Sequence, residues 1–218
     1  MRKQLDKQLL DMNNELILMG GICEDCIRSA LEALKSHNRE LAMKVSSQDY
    51  DIDKKARFIE KLCLDLLLRQ QPVATDLRSV SAVLKMISDI ERIGDQACDI
   101  AEIVMNFDFA YDGEDVTLVE NMAEEVLKMV HECIDSYVVR DVDYARAVIR
   151  QDDVVDRYFS MIKKELISRV RSSRGSDAEI SLDVLMMAKY LERIGDHACN
   201  VAKWVIYAIT GNNEKDCE

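Results

Sequence analysis

The sequence predicts an all-α protein built from two tandem, pseudo-symmetric three-helix bundles, with six long helices in total. Residues that interrupt helices are scarce, since the 218 residues include one proline, Pro72, and seven glycines. Apolar residues recur in alternating steps of three and four along most of the chain, as on one face of a helix. The pentapeptide Glu-Arg-Ile-Gly-Asp occurs at residues 91–95 and again at 192–196, which indicates an internal repeat.

Three helices are predicted in the first half of the chain. The first carries an apolar stripe that passes through Gly20 and Gly21, so we expect one long helix, with any bend at these glycines. The second ends before Pro72, and either Thr75 or Asp76 is expected to cap the third. The stripes of the first two helices contain Leu5, Leu9, Met12, Leu16, Met19, Cys23, Cys26, Ala30 and Ala33, and then Ala42, Val45, Asp49, Ile52, Ala56, Ile59, Cys63 and Leu66.

The second half follows the same plan. An apolar stripe at 116–137 predicts the fourth helix, and another at 145–166 predicts the fifth. Ser176 or Asp177 is expected to cap the sixth. Helices of ~25–35 residues would each be about 40–50 Å long, and short connections make sequential helices antiparallel.

The two repeats are expected to span residues 1–108 and 114–212, joined near residues 107–114. At an offset of 101 residues several core-type positions are identical, whereas the surface-type residues Asp99 and Glu102 are replaced by Asn200 and Lys203. Comparing the halves therefore distinguishes positions where the residue is identical in both repeats from positions where it differs. The identical positions outside the pentapeptide include Leu84, Ala97, Cys98 and Ala101, matched by Leu185, Ala198, Cys199 and Ala202.

Composition and charge narrow the class of protein. The net charge of −12 and the pI near 4.8 would repel a phosphate backbone, so no direct nucleic-acid binding is expected. The first residues lack the apolar core of a signal peptide, and no apolar stretch is long enough to cross a bilayer. We expect a cytoplasmic protein without membrane insertion, whose membrane association, if any, is peripheral and through partners.

The seven cysteines favour reduced core thiols, because their number is odd and six of them fall on apolar helical positions. Cys217 is expected to be a free thiol in the tail. The Cys23-x-x-Cys26 spacing also occurs in zinc and redox sites. Since no second cysteine pair or nearby histidine completes a tetrahedral set, a core role is the favoured interpretation.

Four pairs of carboxylates with a spacing of four residues stand out, two in each half. Positions four apart share one helix face, where like charges destabilise a helix by ~0.2–0.5 kcal/mol. Asp49 and Asp152 also fall on apolar stripes, where a carboxylate needs a compensating partner such as a cation. The pairs are Asp49 and Asp53, Glu91 and Asp95, Asp152 and Asp156, and Glu192 and Asp196.

If the second helix of each bundle packs beside the acidic flank of the third, four carboxylates converge in each repeat. An oxygen-only ligand set suits hard cations such as Fe(III), Mn(II) or Mg(II), with Zn(II) as an alternative. Gly94 and Gly195 would allow a close approach there, although tight helix packing alone also explains them.

The alternative interpretation is that the acids form solvated helix flanks, with Glu91 and Glu192 paired to arginines such as Arg92 or Arg193 on neighbouring turns. His197 directly follows Asp196 and is an additional ligand candidate, but the equivalent residue in the first half is Gln96.

Three segments resemble the PhoU family of phosphate-signalling proteins. They are Gln71-Pro72-Val73-Ala74-Thr75-Asp76-Leu77-Arg78, Asp89-Ile90-Glu91-Arg92-Ile93-Gly94-Asp95 and Leu191-Glu192-Arg193-Ile194-Gly195-Asp196-His197-Ala198. The resemblance implies two three-helix bundles and, as in some members, metal clusters held by the eight paired acids. Asp99, and Asn200 in its equivalent place, are additional candidates, so the two sites are expected to differ.

The resemblance further implies a regulatory role that restrains the phosphate-starvation response and modulates phosphate transport. The expected partners are a PstB-type transporter ATPase and a PhoR-type sensor kinase, and a homodimer is expected. Iron is the metal expected first, with Zn, Mn or Mg as alternatives.

Two other functions are alternatives to this one. The first is an enzyme, either a carboxylate-bridged di-iron oxidase or a metal-dependent phosphohydrolase, although the sequence lacks the Glu-x-x-His motif of ferritin-like sites and a glycine-rich phosphate loop. The second is a metal-free helical scaffold whose acids serve solubility.

Overall fold

The computed structural model describes residues 2–109, 113–173 and 177–212, and this part of the chain contains α-helices and no strands. The predicted all-α class is confirmed. Ser176 and Cys217 lie outside the described residues. The helices are α1 (Arg2–Lys35), α2 (Arg39–Ser46), α3 (Asp49–Gln70), α4 (Thr75–Asn106), α5 (Glu114–Val139), α6 (Val142–Ser172) and α7 (Ala178–Thr210).

The first helix is continuous, as predicted, and passes through Gly20 and Gly21. The two glycines differ in their surroundings. A Cβ atom on Gly20 would lie 2.9 Å from Ile134 of α5, whereas a Cβ on Gly21 would meet nothing within 4 Å. Gly20 therefore permits a close contact between α1 and the second repeat.

The second predicted helix is interrupted, which the apolar stripe did not reveal. It is divided into α2 and α3 at Ser47 and Gln48, where the Ser47 hydroxyl donates to the Lys44 carbonyl oxygen at 2.8 Å. Serine and aspartate side chains compete for backbone hydrogen bonds in this way and weaken a helix. Asp49 consequently begins α3 and is exposed, so the prediction that it lies on the apolar, core-facing stripe of the second helix is wrong.

The N-termini of α4 and α7 differ from the predicted capping in two details. The N-cap of α4 is Ala74, in a conformation with φ of 48°, rather than Thr75 or Asp76. The Asp76 carboxylate instead accepts a hydrogen bond from Arg2 of α1 at 2.7 Å. At α7 the N-cap is Asp177, as one of the two predictions had it, but its side chain makes no capping hydrogen bond.

Helices α1 to α4 form the first bundle and α5 to α7 the second, and the two meet mainly along α4 and α7. These two helices are antiparallel. Asp89 of α4 contacts His197 and Asn200 of α7, while Asp99, further along α4, lies close to Tyr190, which is earlier on α7. One apolar cluster of buried side chains continues across both bundles.

The cysteines confirm the predicted core role. The six cysteines among the described residues are free and buried. Cys23 Sγ donates to the Ile90 carbonyl oxygen at 3.3 Å, and Cys98 Sγ donates to that of Val45 at 3.4 Å. These thiols link α1 and α2 to α4 as small core side chains.

Over the described residues, none of the helices has both the length and the apolar character required to cross a bilayer.

Gly94 sets the distance between α4 and its neighbours. A Cβ atom at this position would lie 2.6 Å from Ile52 Cδ1 of α3 and 3.2 Å from Cys23 Sγ of α1. A distance of 2.6 Å is well inside van der Waals contact, so any larger residue forces Ile52 to move. The glycine therefore brings α3 against α4.

We expect Gly94→Ala to destabilise the protein by about 1–2 kcal/mol, because overpacking outweighs the gain in helix propensity of about 1 kcal/mol. Gly21→Ala is the matched control, with open space around it, and should stabilise the protein by about 0.4–1 kcal/mol. Urea unfolding followed by circular dichroism measures both. A Gly94→Ala variant as stable as Gly21→Ala would show that the packing is not tight.

Candidate metal centre

The structure places the eight predicted acids in two groups on adjacent helices. The first acidic cluster consists of Asp49 and Asp53 on α3 with Glu91 and Asp95 on α4, and the second of Asp152 and Asp156 on α6 with Glu192 and Asp196 on α7. Each cluster lies at the edge of the core, on the flank where the two helices pack together. The predicted side-by-side arrangement of the second and third helices is thus observed in both repeats.

Carboxylates of the first acidic cluster interact across the two helices. Burial raises the pKa of Glu91, and the charges of Asp53 and Asp95 and a hydrogen bond with Asp53 raise it further. Burial likewise raises the pKa of Asp95, with the charge of Asp49 as the next cause and a hydrogen bond to Asp49 as another. The α3 carboxylates thus contact the α4 carboxylates in two cross-helix pairs.

Two carboxylates of the second acidic cluster also have raised pKa values. Burial raises the pKa of Asp152 from 3.8 to about 6, and the charges of Asp196 and Asp156 contribute to the increase. The pKa of Asp196 is raised by burial and then by Glu192, and Lys189 partly offsets the effect. Mutual repulsion among these acids opposes their full ionisation.

Gly195 lies directly beside the second acidic cluster. A Cβ atom on it would be 3.2 Å from Asp152 Oδ1 and 3.4 Å from Val155 of α6. In the first repeat Gly94 contacts the apolar Ile52 in the corresponding way. Both glycines remove bulk where the acidic flanks meet, and only Gly195 does so against a carboxylate.

Some of the acids have cationic neighbours, as the alternative interpretation expects. Arg92 lies 3.2 Å from Asp95, Arg57 lies 3.3 Å from Asp53, and Lys189 pairs with Glu192. The side chains of Arg92 and Arg57 are about two-thirds exposed, at 65% and 64%. Exposed ion pairs of this kind contribute at most about 1 kcal/mol and leave much of the repulsion within each cluster uncompensated.

The convergent acids do not form a closed coordination shell in this structure. Within residues 2–109, 113–173 and 177–212, no three or more histidine, cysteine, aspartate or glutamate side chains are arranged to hold a metal ion. The donor set suits a hard cation, because it consists of carboxylates, and a cation would relieve their repulsion. Binding would require rotamer changes that turn the carboxylates towards one point.

The three additional candidates occupy different places. Asp99 lies at the margin of the first acidic cluster, where burial, Glu102 and then Asp49 raise its pKa. His197 and Asn200 instead interact with Asp89 across the α4–α7 contact, with Nδ1 of the histidine 2.9 Å and Nδ2 of the asparagine 3.2 Å from Asp89 Oδ1. The structure therefore places these two residues against α4 rather than among the four acids.

Asp89 is the residue that sequence reasoning missed here. It connects the two repeats through His197 and Asn200, yet the equivalent position in the second half is Tyr190. Comparing the halves at the 101-residue offset could have revealed it as a position where an acid replaced an aromatic side chain. Nothing in the apolar pattern predicts which residue it meets.

Comparison with known proteins decides the family. The family model described as the PhoU domain matches residues 16–104 and 119–205, one segment in each predicted repeat and most of the chain in total. The chain belongs to the PhoU family. The resemblance inferred from the three sequence segments is thereby confirmed.

Curated PhoU relatives match over nearly their full length. The chain is 34% identical over 211 residues to the phosphate-specific transport system accessory protein PhoU homolog of Clostridium acetobutylicum, and the alignment covers 96% of each chain. It is 33% identical to the homolog of Pseudomonas aeruginosa, with 97% of this chain and 87% of that protein covered.

Solved PhoU structures have the same fold. The crystal structure of PhoU from Pseudomonas aeruginosa superposes with a TM-score of 0.90 at 32% identity, covering 95% of this chain and 99% of that one. The phosphate transport system regulatory protein PhoU from Streptococcus pneumoniae also gives a TM-score of 0.90, at 25% identity, covering 97% of this chain and 99% of that one. These similarities confirm the fold class.

The raised pKa of Asp152 predicts a pH-dependent stability. Because the folded protein holds this proton more tightly than the unfolded chain, its contribution is fully present below about pH 3.8 and is lost as the pH rises to about 6. In the presence of a metal chelator, Asp152→Asn should stabilise the protein at pH 8 by about 1–2 kcal/mol, a range that allows for the partial exposure of this side chain. The same substitution should have little effect at pH 4.

Urea unfolding at the two pH values measures this difference. Asp153→Asn is the matched control, because this exposed carboxylate on α6 is the last and smallest cause of the raised pKa of Asp152, and it should stabilise the protein at pH 8 by much less than Asp152→Asn. Equal effects of the two substitutions at pH 8 would contradict the electrostatic account of the second acidic cluster.

Proposed function

We propose that this protein is a non-enzymatic regulatory adaptor of phosphate homeostasis, which restrains the phosphate-starvation response and modulates phosphate transport. The observation that carries the proposal is the PhoU match over most of the chain, together with relatives named as accessory proteins of the phosphate-specific transport system. Those relatives align along nearly all of their own length, so the whole architecture is shared rather than one module of it.

We further propose that the two acidic clusters bind metal ions, iron first, with zinc, manganese or magnesium as alternatives. The proposal is supported by the cross-helix contacts among the acids and by the raised pKa values of Glu91, Asp95, Asp152 and Asp196, which result from burial and then from neighbouring negative charge. A bound cation would supply positive charge to that flank and a bridge between the two helices. The residues proposed as ligands are Asp49, Asp53, Glu91 and Asp95 in the first repeat and Asp152, Asp156, Glu192 and Asp196 in the second.

The clusters would then influence regulation through the helices that carry them. In each repeat the acids lie on the second and third long helices, and the third helices, α4 and α7, form the contact between the repeats. A charge change on the α3–α4 or α6–α7 flank would therefore act on the elements that hold the two bundles together. This gives the adaptor a structural route from ion binding to a surface that a partner can recognise.

The proposed partners are a PstB-type transporter ATPase and a PhoR-type sensor kinase, met in the cytoplasm by a homodimer. An adaptor between a transporter and a kinase needs two recognition surfaces, and two similar bundles in one chain, or four in a dimer, supply them. Contacts with these partners would also place the protein at the membrane surface peripherally.

Metal binding is expected to depend on cross-helix acid pairs. Elemental analysis of untagged protein, equilibrated with Fe, Mn, Zn or Mg and then desalted, should give stoichiometric metal for the wild type. The double variant Asp49→Asn, Glu91→Gln should lose the metal bound by the first cluster. The double variant Asp152→Asn, Glu192→Gln should lose the metal bound by the second cluster. We expect the bound metal to raise the unfolding temperature as well.

The matched control is Asp51→Asn with Asp153→Asn, which removes two exposed carboxylates on α3 and α6 and keeps both clusters intact. Equal, substoichiometric metal in the wild type and in all variants would show that the acids serve solubility alone. Turnover of phosphate esters or oxygen by metal-loaded protein would contradict the non-enzymatic role.

The regulatory role predicts a phenotype in phosphate-rich medium. Deleting the gene should derepress a phosphate-starvation reporter, and the wild-type gene should restore repression. Purified protein should also bind the transporter ATPase and the cytoplasmic part of the kinase in pull-down assays. A reporter that stays repressed in the deletion strain would contradict the proposed negative regulation, whether or not the clusters bind metal.

A further inference from the structure

A cleft of about 570 Å³ opens where α4 crosses α7, beside the second acidic cluster. Both repeats contribute to its lining. Three cationic side chains face it, Arg92 from α4 and Arg193 and Lys203 from α7, and the amide side chains of Gln96 and Asn200 lie among them. Two carboxylates also belong to the lining, so the cationic side chains outnumber the acidic ones by one, in a protein of net charge −12.

The internal repeat supplies a comparison for this cleft. At the 101-residue offset Asn200 corresponds to Asp99, and Lys203 to Glu102. In the first repeat Asp99 is an acid that faces Arg193, whose charge lowers the pKa of that carboxyl against the larger raising effect of burial. At the symmetry-related place, Arg92 lines the cleft together with the neutral Asn200. The two replacements, Asp99 by Asn200 and Glu102 by Lys203, make the charge of the cleft three units more positive than that of the equivalent place in the first repeat.

Gln96 provides a second, independent observation. It is buried, with 7% of its surface exposed, and lines the cleft. Its Oε1 atom has no hydrogen-bond partner among the described residues. A buried amide oxygen without a donor costs roughly 1–3 kcal/mol, so a ligand that brings a donor to this point would be favoured.

The carboxylates in the lining narrow the ligand class. Asp152 and Asp196 reach the cleft from the second acidic cluster, and ionised carboxylates only accept hydrogen bonds. An anion without a proton would be repelled by them. An anion that keeps an O–H group can donate to a carboxylate or to Gln96 while its other oxygens accept from the guanidinium and ammonium groups.

We propose that this cleft binds free hydrogenphosphate at the contact between the two repeats. Inorganic phosphate retains at least one proton near neutral pH, whereas sulfate retains none, so the mixture of cations and acceptors discriminates between two anions of the same shape. In a complex with sulfate, the carboxylates and the Gln96 oxygen would receive no hydrogen bond from the ligand, which lowers the affinity for sulfate relative to phosphate. The site requires no metal, but it shares Asp152 and Asp196 with the second acidic cluster, so phosphate binding is tested in the metal-free protein.

Isothermal titration calorimetry of the full chain at pH 7, in low salt and with chelator, tests the assignment with inorganic phosphate as the probe. We expect saturable binding at one site per chain and much weaker binding of sulfate. Lys203→Glu and Asn200→Asp, which restore the acids of the first repeat, should each weaken phosphate binding by at least about tenfold. Asp196→Asn should raise the affinity for sulfate.

Lys61→Glu is the matched control, since it makes the same charge change at an exposed site on α3 and should alter phosphate affinity by less than about twofold. Circular dichroism establishes that each variant is folded. Absence of saturable phosphate binding, an equal loss in Lys203→Glu and Lys61→Glu, or equal affinities for phosphate and sulfate would overturn the proposal. AMP is titrated in parallel, and tighter binding of AMP would assign the cleft to phosphate esters instead of free phosphate.

Discussion

The antiparallel contact between α4 and α7 is the constraint on which the rest of the structure depends. These are the third helices of the two repeats, and each contributes one side of the core of its own bundle and one side of the contact with the other bundle. Their buried residues therefore face several directions, and small side chains are needed where helices approach closely. Gly94 and Gly195, in the repeated pentapeptide, are such positions. A three-helix bundle alone would leave one face of α4 or α7 exposed, so the repeats stabilise each other.

The packing of the helices determines where the acidic clusters lie, but the clusters themselves do not stabilise the folded protein. Raised pKa values in both clusters show that folding brings like charges together and partly removes them from water. The apolar stripes on the same helices supply the burial that offsets this cost, from the Ile52 contact with α4 to the long buried face of α7. Regions that a fold maintains at an electrostatic cost are frequently functional, which is the physical basis for proposing ion binding there.

The two repeats have diverged more in electrostatics than in shape. The first half has Asp99 and Glu102 where the second has Asn200 and Lys203, and Asp89 of α4 faces His197 where the symmetry-related positions are Tyr190 and Gln96. Apolar positions such as Ala97 and Ala198 are unchanged, because the shared core does not tolerate changes in volume. A duplicated fold can thus keep one architecture while its two equivalent surfaces acquire different ligands.

Helical periodicity and the internal repeat were sufficient to predict the all-α class, the long helices and the grouping of eight acids into two sets, since each of these follows from spacing along one helix or from identity between the halves. The break at Ser47 and Gln48 was not predictable from the apolar stripe, because Val45 and Ile52 remain buried on both sides of it. The contacts of Asp89 with His197 and Asn200, and the cleft between α4 and α7, depend on how two helices distant in sequence are rotated and aligned. Rotation and alignment are set by side chains that interlock where two helices pack, as Ile52 of α3 does against Gly94 of α4, and the spacing within a single helix does not encode them.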